Sequence, residues 1–454
     1  MHKFFYYFYL VSLLLLFYLI GFFTFKYEFF PKSWLDGSIN LFLKDSGESN
    51  RKAILSFFKK FSENKNSEEF QFTINRNIFK NEKIDYEGFL LISLSLDQFN
   101  NDNIGLYKNN REKVFSWSFD KTIKPKIALH LDQNGNILVY NDTHVSLISN
   151  KSNEIWRSKK VIHHWGTVFE GKLFIPGRKY LNYPEDLDEK SKKLNIGKCK
   201  VKNALADTIL QINMENGTVE REIDLLPIIS SHSELGKKLG YSKKIFSKLK
   251  TDRGDGFFES KFLGPSYCDD LTHLNDIKIL KKDDLKYFKN SKEGDFLLSL
   301  HTIDSIVLVD HESLEVKWHL RKNFKRQHSP NITNDGNLII FDNKGGDKKY
   351  GKSRIVKFDL KNNKFHSFFD GNDSFFFESL IRGRIQLVNN DIYVTSSQQG
   401  EVFKLNCDSE FLKECSASLL FSSFDGDKPN SIFVGDFYST NYFTEEFLTK
   451  IGGK

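Results

Sequence analysis

The sequence predicts an all-β fold, a six-bladed β-propeller, behind an N-terminal transmembrane helix and a short helical stalk. Three observations carry this reading. Residues 4–25 hold no charged side chain, no second run of that kind follows, and from Gly88 onward short apolar runs recur between Gly, Asn and Asp turns. The chain has 454 residues, 39% hydrophobic and 28% charged, enough for a large core and too apolar for a wholly disordered chain. Lys+Arg 66 against Asp+Glu 59 gives a net charge of +7. That charge is spread without a long basic tract, so no nucleic-acid partner is expected.

The first element is the run FFYYFYLVSLLLLFYLIGFFTF, Phe4 to Phe25. As a helix it spans about 30 Å, the thickness of a bilayer's hydrocarbon core. A buried core helix of that length would show a polar face, and this one shows none. A cleaved signal peptide is the rival reading. It calls for a shorter apolar stretch and a small-x-small cleavage site, whereas Lys26-Tyr27-Glu28-Phe29-Phe30 follows here. Residues 1–30 are therefore read as a signal anchor and 31–84 as a partly helical stalk, with Ser56–Phe61 amphipathic. The rest, 85–454, is read as one propeller in the periplasm, tethered to a bacterial inner membrane by a single pass.

The propeller reading rests on self-similarity. A module of three short strands starts at a Gly or Asn-Asp turn and often closes on Trp: Gly88–Leu91, Ile104–Tyr107 and Val114–Trp117; then Gly135–Val139, Val145–Ile148 and Ile155-Trp156. A third has Gly171–Ile175, Thr208–Ile212 and Val219 onward, and a fourth Gly294–Leu298, Ile306–Asp310 and Val316–Trp318. The fifth shows Gly336–Ile340 and Ile355–Asp359, the sixth Asp391–Val394 and Val402–Leu405. Repeats of this kind stack radially and close a ring, because one small sheet cannot bury both its faces alone. Lys-rich stretches at about 180–206 and 229–270 fall outside the pattern and read as insertions, loops or short helices that cap one face.

Four cysteines, Cys199, Cys268, Cys407 and Cys415, form no CxxC pair. Cys407 and Cys415, eight apart between strands, suit a hairpin disulfide in an oxidising compartment, and Cys199 and Cys268 are the other candidates. Zinc lacks a histidine at finger-like spacing. All four remaining reduced is the third reading.

Residues just before the module glycines are expected at the mouth of the central channel. They include His163-His164-Trp165 before Gly171, His273-Leu274-Asn275-Asp276 ahead of Gly294, and Gln327-His328-Ser329-Pro330 before Gly336, with Leu129-His130 in the second module. His301, read as the start of the next strand in module four, is expected to join them. Equivalent positions in a ring converge on its axis, so these imidazoles should meet. Structural packing copied round the ring is one reading of them, and a zinc or copper site is another. A nucleophilic group-transfer site is the third.

These motifs resemble the PAPS-independent arylsulfotransferases of bacteria. The resemblance covers roughly 85–405 and is strongest at Gln327-His328-Ser329-Pro330, Asp335–Leu338, Phe341-Asp342-Asn343 and Ser353–Val356. It implies a six-bladed propeller in which a channel histidine takes a sulfuryl group from an aryl sulfate ester and passes it to a phenolic acceptor, without a cofactor or metal. His328 matches the nucleophile, and His273 and His164 match histidines that contact the sulfate. His163, Arg326, Arg354 and Asn275 are the substrate-binding candidates. Where the family has an arginine in a Ser-x-Arg strand, this chain has His301; Arg326 or Arg354 is the candidate replacement for that charge.

Overall fold

A computed structural model of the chain describes residues 87–95, 103–108, 111–141, 143–182, 203–239, 250–251, 271–321, 324–345, 352–371, 378–407, 411–425, 428–429 and 431–452. The chain divides into two units, Met1–Lys80 and Asn81–Lys454. The expected membrane helix and stalk, with Cys199 and Cys268, lie outside the described residues. No helix among the described residues is long and apolar enough to cross a membrane.

Six antiparallel sheets make six blades. Blade 2 shows the plan: Ile127–Leu131, Ile137–Asn141, His144–Ile148 and Glu154–Lys159 pair in that order. Blade 3 has Thr167–Phe169, Lys172–Asn182, Asn203–Asn213 and Val219–Asp224, with Lys250–Thr251 added at the far end of its second strand. Blade 4 has Leu274–Ile279, Phe296–Leu300, Ser305–Val309 and Val316–Leu320; blade 5 has His328–Ile332, Asn337–Asp342, Arg354–Asp359 and Lys364–Phe369. Blade 6 has Arg384–Val388, Asp391–Ser396, Glu401–Asn406 and Ser416–Ser422. Blade 1 is composite: Gly88–Ser95, Ile104–Tyr107 and Lys113–Ser116 receive their innermost strand, Ser431–Ser439, from the far end of the chain. Each innermost strand touches the next, and the circuit closes.

The repeat is therefore four strands deep. The strands legible as apolar alternation are the second and third of each blade, joined by the outermost in blades 1 to 4. The innermost strand lines the axis, and in blades 4 to 6 polar residues interrupt its apolar pattern. One other expectation is corrected. Strands run to Asn182 and resume at Asn203, so both ends of the expected 180–206 insertion are strand. Two short helices, α1 (Leu225–Ser231) and α2 (Ser233–Lys238), lead into the second insertion and bury Leu225, Leu226, Ile228, Ile229 and Leu235.

The recurring Trp has a physical role. Trp117, at the end of blade 1, is 1% exposed and donates its indole N–H to the carbonyl of Gly135 in the first turn of blade 2 (3.0 Å). Trp156, ending blade 2, donates to the Met214 carbonyl in blade 3 (2.8 Å). Each ring fastens its blade to a turn of the next. Gly135 has φ 79°, and a Cβ there would lie 2.1 Å from the Phe447 ring, so only glycine suits this turn. Phe447 belongs to α3 (Glu445–Lys450), which follows the closing strand and caps the blade 1 core beside Phe115 and Phe443. Cys407 and Cys415 form a disulfide across the 3-10 turn between the last two strands of blade 6, with Cα atoms 4.4 Å apart.

Trp117→Ala should destabilise the propeller by about 3–5 kcal/mol, read as a lower urea midpoint at constant m. Trp117→Phe, which keeps most of the burial and loses the hydrogen bond, should cost a fraction of that. A Trp117→Phe variant as stable as the wild type would mean the indole N–H does not bridge the blades.

Candidate active site

Four imidazoles meet at the axis, with a fifth behind them. Ring centroids lie 4.8 Å apart for His164 and His273, 4.5 Å for His273 and His301, 5.6 Å for His301 and His328, and 5.8 Å for His164 and His328. His163 stands behind His164 and His273, at 5.1 and 5.8 Å. They come from the approaches to the innermost strands of blades 3, 4 and 5. His301 differs from its expected placement: it sits in the turn that follows Phe296–Leu300, because the strand beyond it begins only at Ser305. Its backbone N–H bonds the His273 carbonyl (3.1 Å), which ties that turn to the cluster.

The chain turns sharply to enter the channel. His164 (φ 58°), His273 (φ 49°), Arg326 (φ 52°), Ser329 (φ 50°) and Arg382 (φ 65°) all adopt left-handed backbone at or just before the innermost strands of blades 3 to 6. For residues with a Cβ this costs on the order of 1–2 kcal/mol each, held in place by the surrounding blades.

Hydrogen bonds set the orientation of His328. Its Nδ1–H donates to Asn343 Oδ1 (2.6 Å) and faces the Arg326 carbonyl (3.1 Å), both pure acceptors. Asn343 is itself oriented, because its Nδ2 donates to the carbonyls of Ser379 (2.6 Å) and Arg382. The proton therefore belongs on Nδ1, and Nε2 keeps its lone pair. Burial pushes the His328 pKa down to about 3, against the Asn343 bond, which favours the charged form. His164 and His301 are lowered well below the ordinary value, again by burial first and by neighbouring imidazoles next. At neutral pH these rings are uncharged.

A second line of partners crosses from blade 3 to blade 4. Arg178 Nη2 donates to His273 Nδ1 (3.3 Å), which leaves the His273 proton on Nε2, pointing at His164 Nε2 (2.8 Å). Behind them Asp207 accepts from His163 Nε2 (2.9 Å), from the Leu274 amide (2.8 Å) and from the Thr272 hydroxyl, and lies 3.6 Å from Arg178 Nε. Burial acts to raise the Asp207 pKa, but His163, Arg178 and Thr272 together hold it below the usual carboxylate range. Burial lowers His163 to about 4, with Arg178 adding to the effect and Asp207 opposing it.

Positive charge surrounds these neutral rings. The field of Arg178 reaches His163 and His164, those of Arg326 and Lys344 reach His301, and that of Arg382 reaches His328. Asn275 donates to the Gln327 carbonyl (2.7 Å) and so braces the residue before His328. Arg354 sits apart. It lies two strands out from the axis, where its Nε donates to Asp342 (2.9 Å) and its guanidinium lies over Phe365 and Phe368. The adjacent Ser353 is the member of that motif near the site, donating to the Asn343 carbonyl (2.9 Å). Among the described residues, the one group of His, Asp and Glu donors close enough to share a metal is elsewhere: Asp295, Asp310 and His311 in blade 4, where Lys317 is 2.7 Å from both aspartates. Arg178, Asp207 and Arg382 escaped sequence reading, and Asn343 entered it only within the motif Phe341-Asp342-Asn343, without a role. Of the first three only Asp207 left a trace, a carboxylate inside the apolar run Ala206–Ile212.

A six-bladed propeller with neutral imidazoles gathered on its axis inside a cationic surround is a histidine-channel propeller suited to a small anionic group. Residues 195–415, just under half of the chain, match the family model of the arylsulfotransferases (ASST), which supports the arylsulfotransferase family. The match includes His273, His301 and His328; His163 and His164 precede it. No curated protein matches the chain. Among solved structures it is similar to a protein of unknown function from Bacteroides caccae (12% identity, 71% of this chain and 90% of that one, TM-score 0.39). It is also similar to virginiamycin B lyase from Staphylococcus aureus (10%, 75% and 85%, TM-score 0.37) and the Neurospora crassa Pan2 WD40 domain (9%, 74% and 86%, TM-score 0.37).

Folded His163 and His328 stay neutral where free histidines, with a pKa of about 6.5, take up protons. Stability is thus complete above pH 6.5 and falls as pH drops through 6.5 toward 4, by up to about 1.4 kcal/mol per pH unit for each ring. His163→Asn should flatten the fall measured by urea midpoints between pH 6 and 4. An unchanged slope would show that His163 is charged in the folded protein.

Proposed function

We propose that this protein transfers a sulfuryl group from an aryl sulfate ester to an acceptor hydroxyl, through a sulfohistidine at His328. The observation that carries the reading is the His328–Asn343 hydrogen bond, which leaves a neutral Nε2 lone pair among buried imidazoles. In the first step Nε2 attacks sulfur, the N–S bond forms, the S–O bond breaks, and the phenolate leaves. Because Nδ1 keeps its proton, the second step expels a neutral imidazole when the acceptor oxygen attacks sulfur. The acceptor's proton goes to His301 in this reading, and the charges of Arg178, Arg326 and Arg382 stabilise the sulfuryl oxygens. Sulfuryl transfer resembles phosphoryl transfer in depending on position and cationic hydrogen bonding, which supports a site without a cofactor.

The uncharged run 4–25 supports a membrane-tethered enzyme whose propeller works in the periplasm of a bacterium. Retention of the full chain in carbonate-washed membranes checks this placement, and release into the wash would remove it.

Incubation with a 35S-labelled phenyl sulfate should label His328, and His328→Asn should abolish both label and transfer. Asn343→Leu should lower kcat by roughly 100-fold or more while changing KM little, because the proton is then free to occupy Nε2. Loss of a neutral nucleophile sets the acid limb of kcat/KM, so activity should hold as pH falls toward the His328 pKa of about 3. One observation favours a second reading, a non-catalytic propeller that binds a sulfated or anionic ligand: His301 stands where the resemblance calls for a permanent cation. Ligand binding that survives His328→Ala, with no label on the wild type, would decide for it.

A further inference from the structure

Next to the imidazoles the channel holds a second polar layer that the proposed transfer does not use. Asp276 lies three residues beyond His273 on the innermost strand of blade 4 and is fully buried. The Ile277 amide and the Ser329 hydroxyl approach the carboxylate, but neither of its oxygens has a hydrogen-bond partner of good geometry among the described residues. Ser329, which follows His328, faces it, but that hydroxyl gives its one proton to the Ile385 carbonyl (2.9 Å). The nearest cation, Lys278 Nζ, is 3.8 Å from Oδ1, beyond hydrogen-bond range.

Donors without acceptors share the layer. Arg384, on the innermost strand of blade 6, binds Asp436 of blade 1 through Nε (2.7 Å) and Nη2 (2.8 Å), while its buried Nη1 has no partner among the described residues. Trp165 Nε1 is buried and unpartnered in the same sense. The Trp165 ring joins the two layers: it lies 6.2 Å from His328 and 5.8 Å from the Arg384 guanidinium. The charges of Asp276 and Arg384 also act on each other, although they come from blades 4 and 6. Groups from blades 1, 3, 4, 5 and 6 have only the axis in common.

Buried donors and acceptors left unmatched within one layer are costly, and one guest that both gives and takes a hydrogen bond satisfies them together. We propose that Asp276, Arg384 and Trp165 form a subsite for a second hydroxyl on the aromatic substrate, at the end remote from the oxygen that carries the sulfuryl group. A hydroxyl donates to Asp276 and accepts from Arg384 Nη1 or Trp165 Nε1. An ammonium group would satisfy Asp276 but confront Lys278 and Arg384, and a carboxylate would confront Asp276. The substrate class is thus a phenol with a hydroxyl-bearing para substituent, and the choice of a phenolic probe rests on the sulfuryl-transfer reading.

Calorimetric titration of the full-length protein in detergent with 4-(hydroxymethyl)phenol, 4-methylphenol, tyramine and 4-hydroxybenzoate tests this. The hydroxymethyl compound should bind about tenfold more tightly than the methyl compound, and more tightly than both charged ones. Asp276→Leu should bring the hydroxymethyl and methyl affinities together, with 4-methylphenol binding retained as evidence of a folded channel. Equal affinities in the wild type mean that water alone fills the layer, and tightest binding of the amine or acid means a different ligand class; either result overturns the subsite. So does a hydroxyl preference that survives Asp276→Leu. If the preference appears and depends on Asp276 while His328 takes no label, the subsite stands and the transfer reading alone fails.

Discussion

Closure of the ring is the constraint on which the site depends. Ser431–Ser439 pairs along Gly88–Ser95, so the six innermost strands are forced round one axis. An open arc would leave two sheet edges unpaired and its inner face wet. A closed one buries what it surrounds. Burial is the first cause of the lowered pKa at His163, His164, His301 and His328. The fold and the chemistry thus share an origin: the pairing that removes the sheet edge also dries the imidazoles and keeps them neutral.

Neutral rings are good nucleophiles but weak hosts for an anion, and here the cations are kept apart from the lone pairs. Arg178 touches the cluster through one nitrogen of His273, while Arg326, Lys344 and Arg382 act on it through their fields. Replacing one expected arginine by His301 removes a permanent charge from a surround that still holds three guanidinium groups. The change alters where the field is strongest more than whether it is positive. Arg178 acts on the side of His163 and His164, where the Asp207 carboxylate partly offsets it, and Arg326 and Lys344 act on the side of His301.

Much of the ring was legible because the second and third strands of the blades bury apolar side chains on both faces, as Phe296–Leu300 and Ser305–Val309 do completely. The innermost strands were not. His328-Ser329-Pro330-Asn331 reads as loop, since its side chains serve a polar channel and one residue is proline. The axial histidines were legible by position, each ahead of a module glycine. Their partners follow no such period. Arg178 comes from a second strand, Asp207 from a third, and Asn343 from the turn after a second strand; a 95-residue separation divides Arg178 from the ring it touches. In the Ser353-Arg354 pair, sequence favoured the arginine for its charge, whereas the strand turns the arginine to Asp342 and the serine to Asn343.

Hydrogen-bond direction narrows the part each ring can play. His328 must carry its proton on Nδ1, because both groups facing that nitrogen only accept. His273 must accept at Nδ1, because a guanidinium only donates, and so it donates toward His164. His163 gives its Nε2 proton to Asp207. His301 differs, since its Nδ1 is buried without a partner among the described residues and nothing there favours one tautomer. A permanent cation at that position would hold an anion but could not take a proton. An imidazole with no assigned bond can, so the substitution that weakens the electrostatic case for an anion site strengthens the case for proton transfer at the same point.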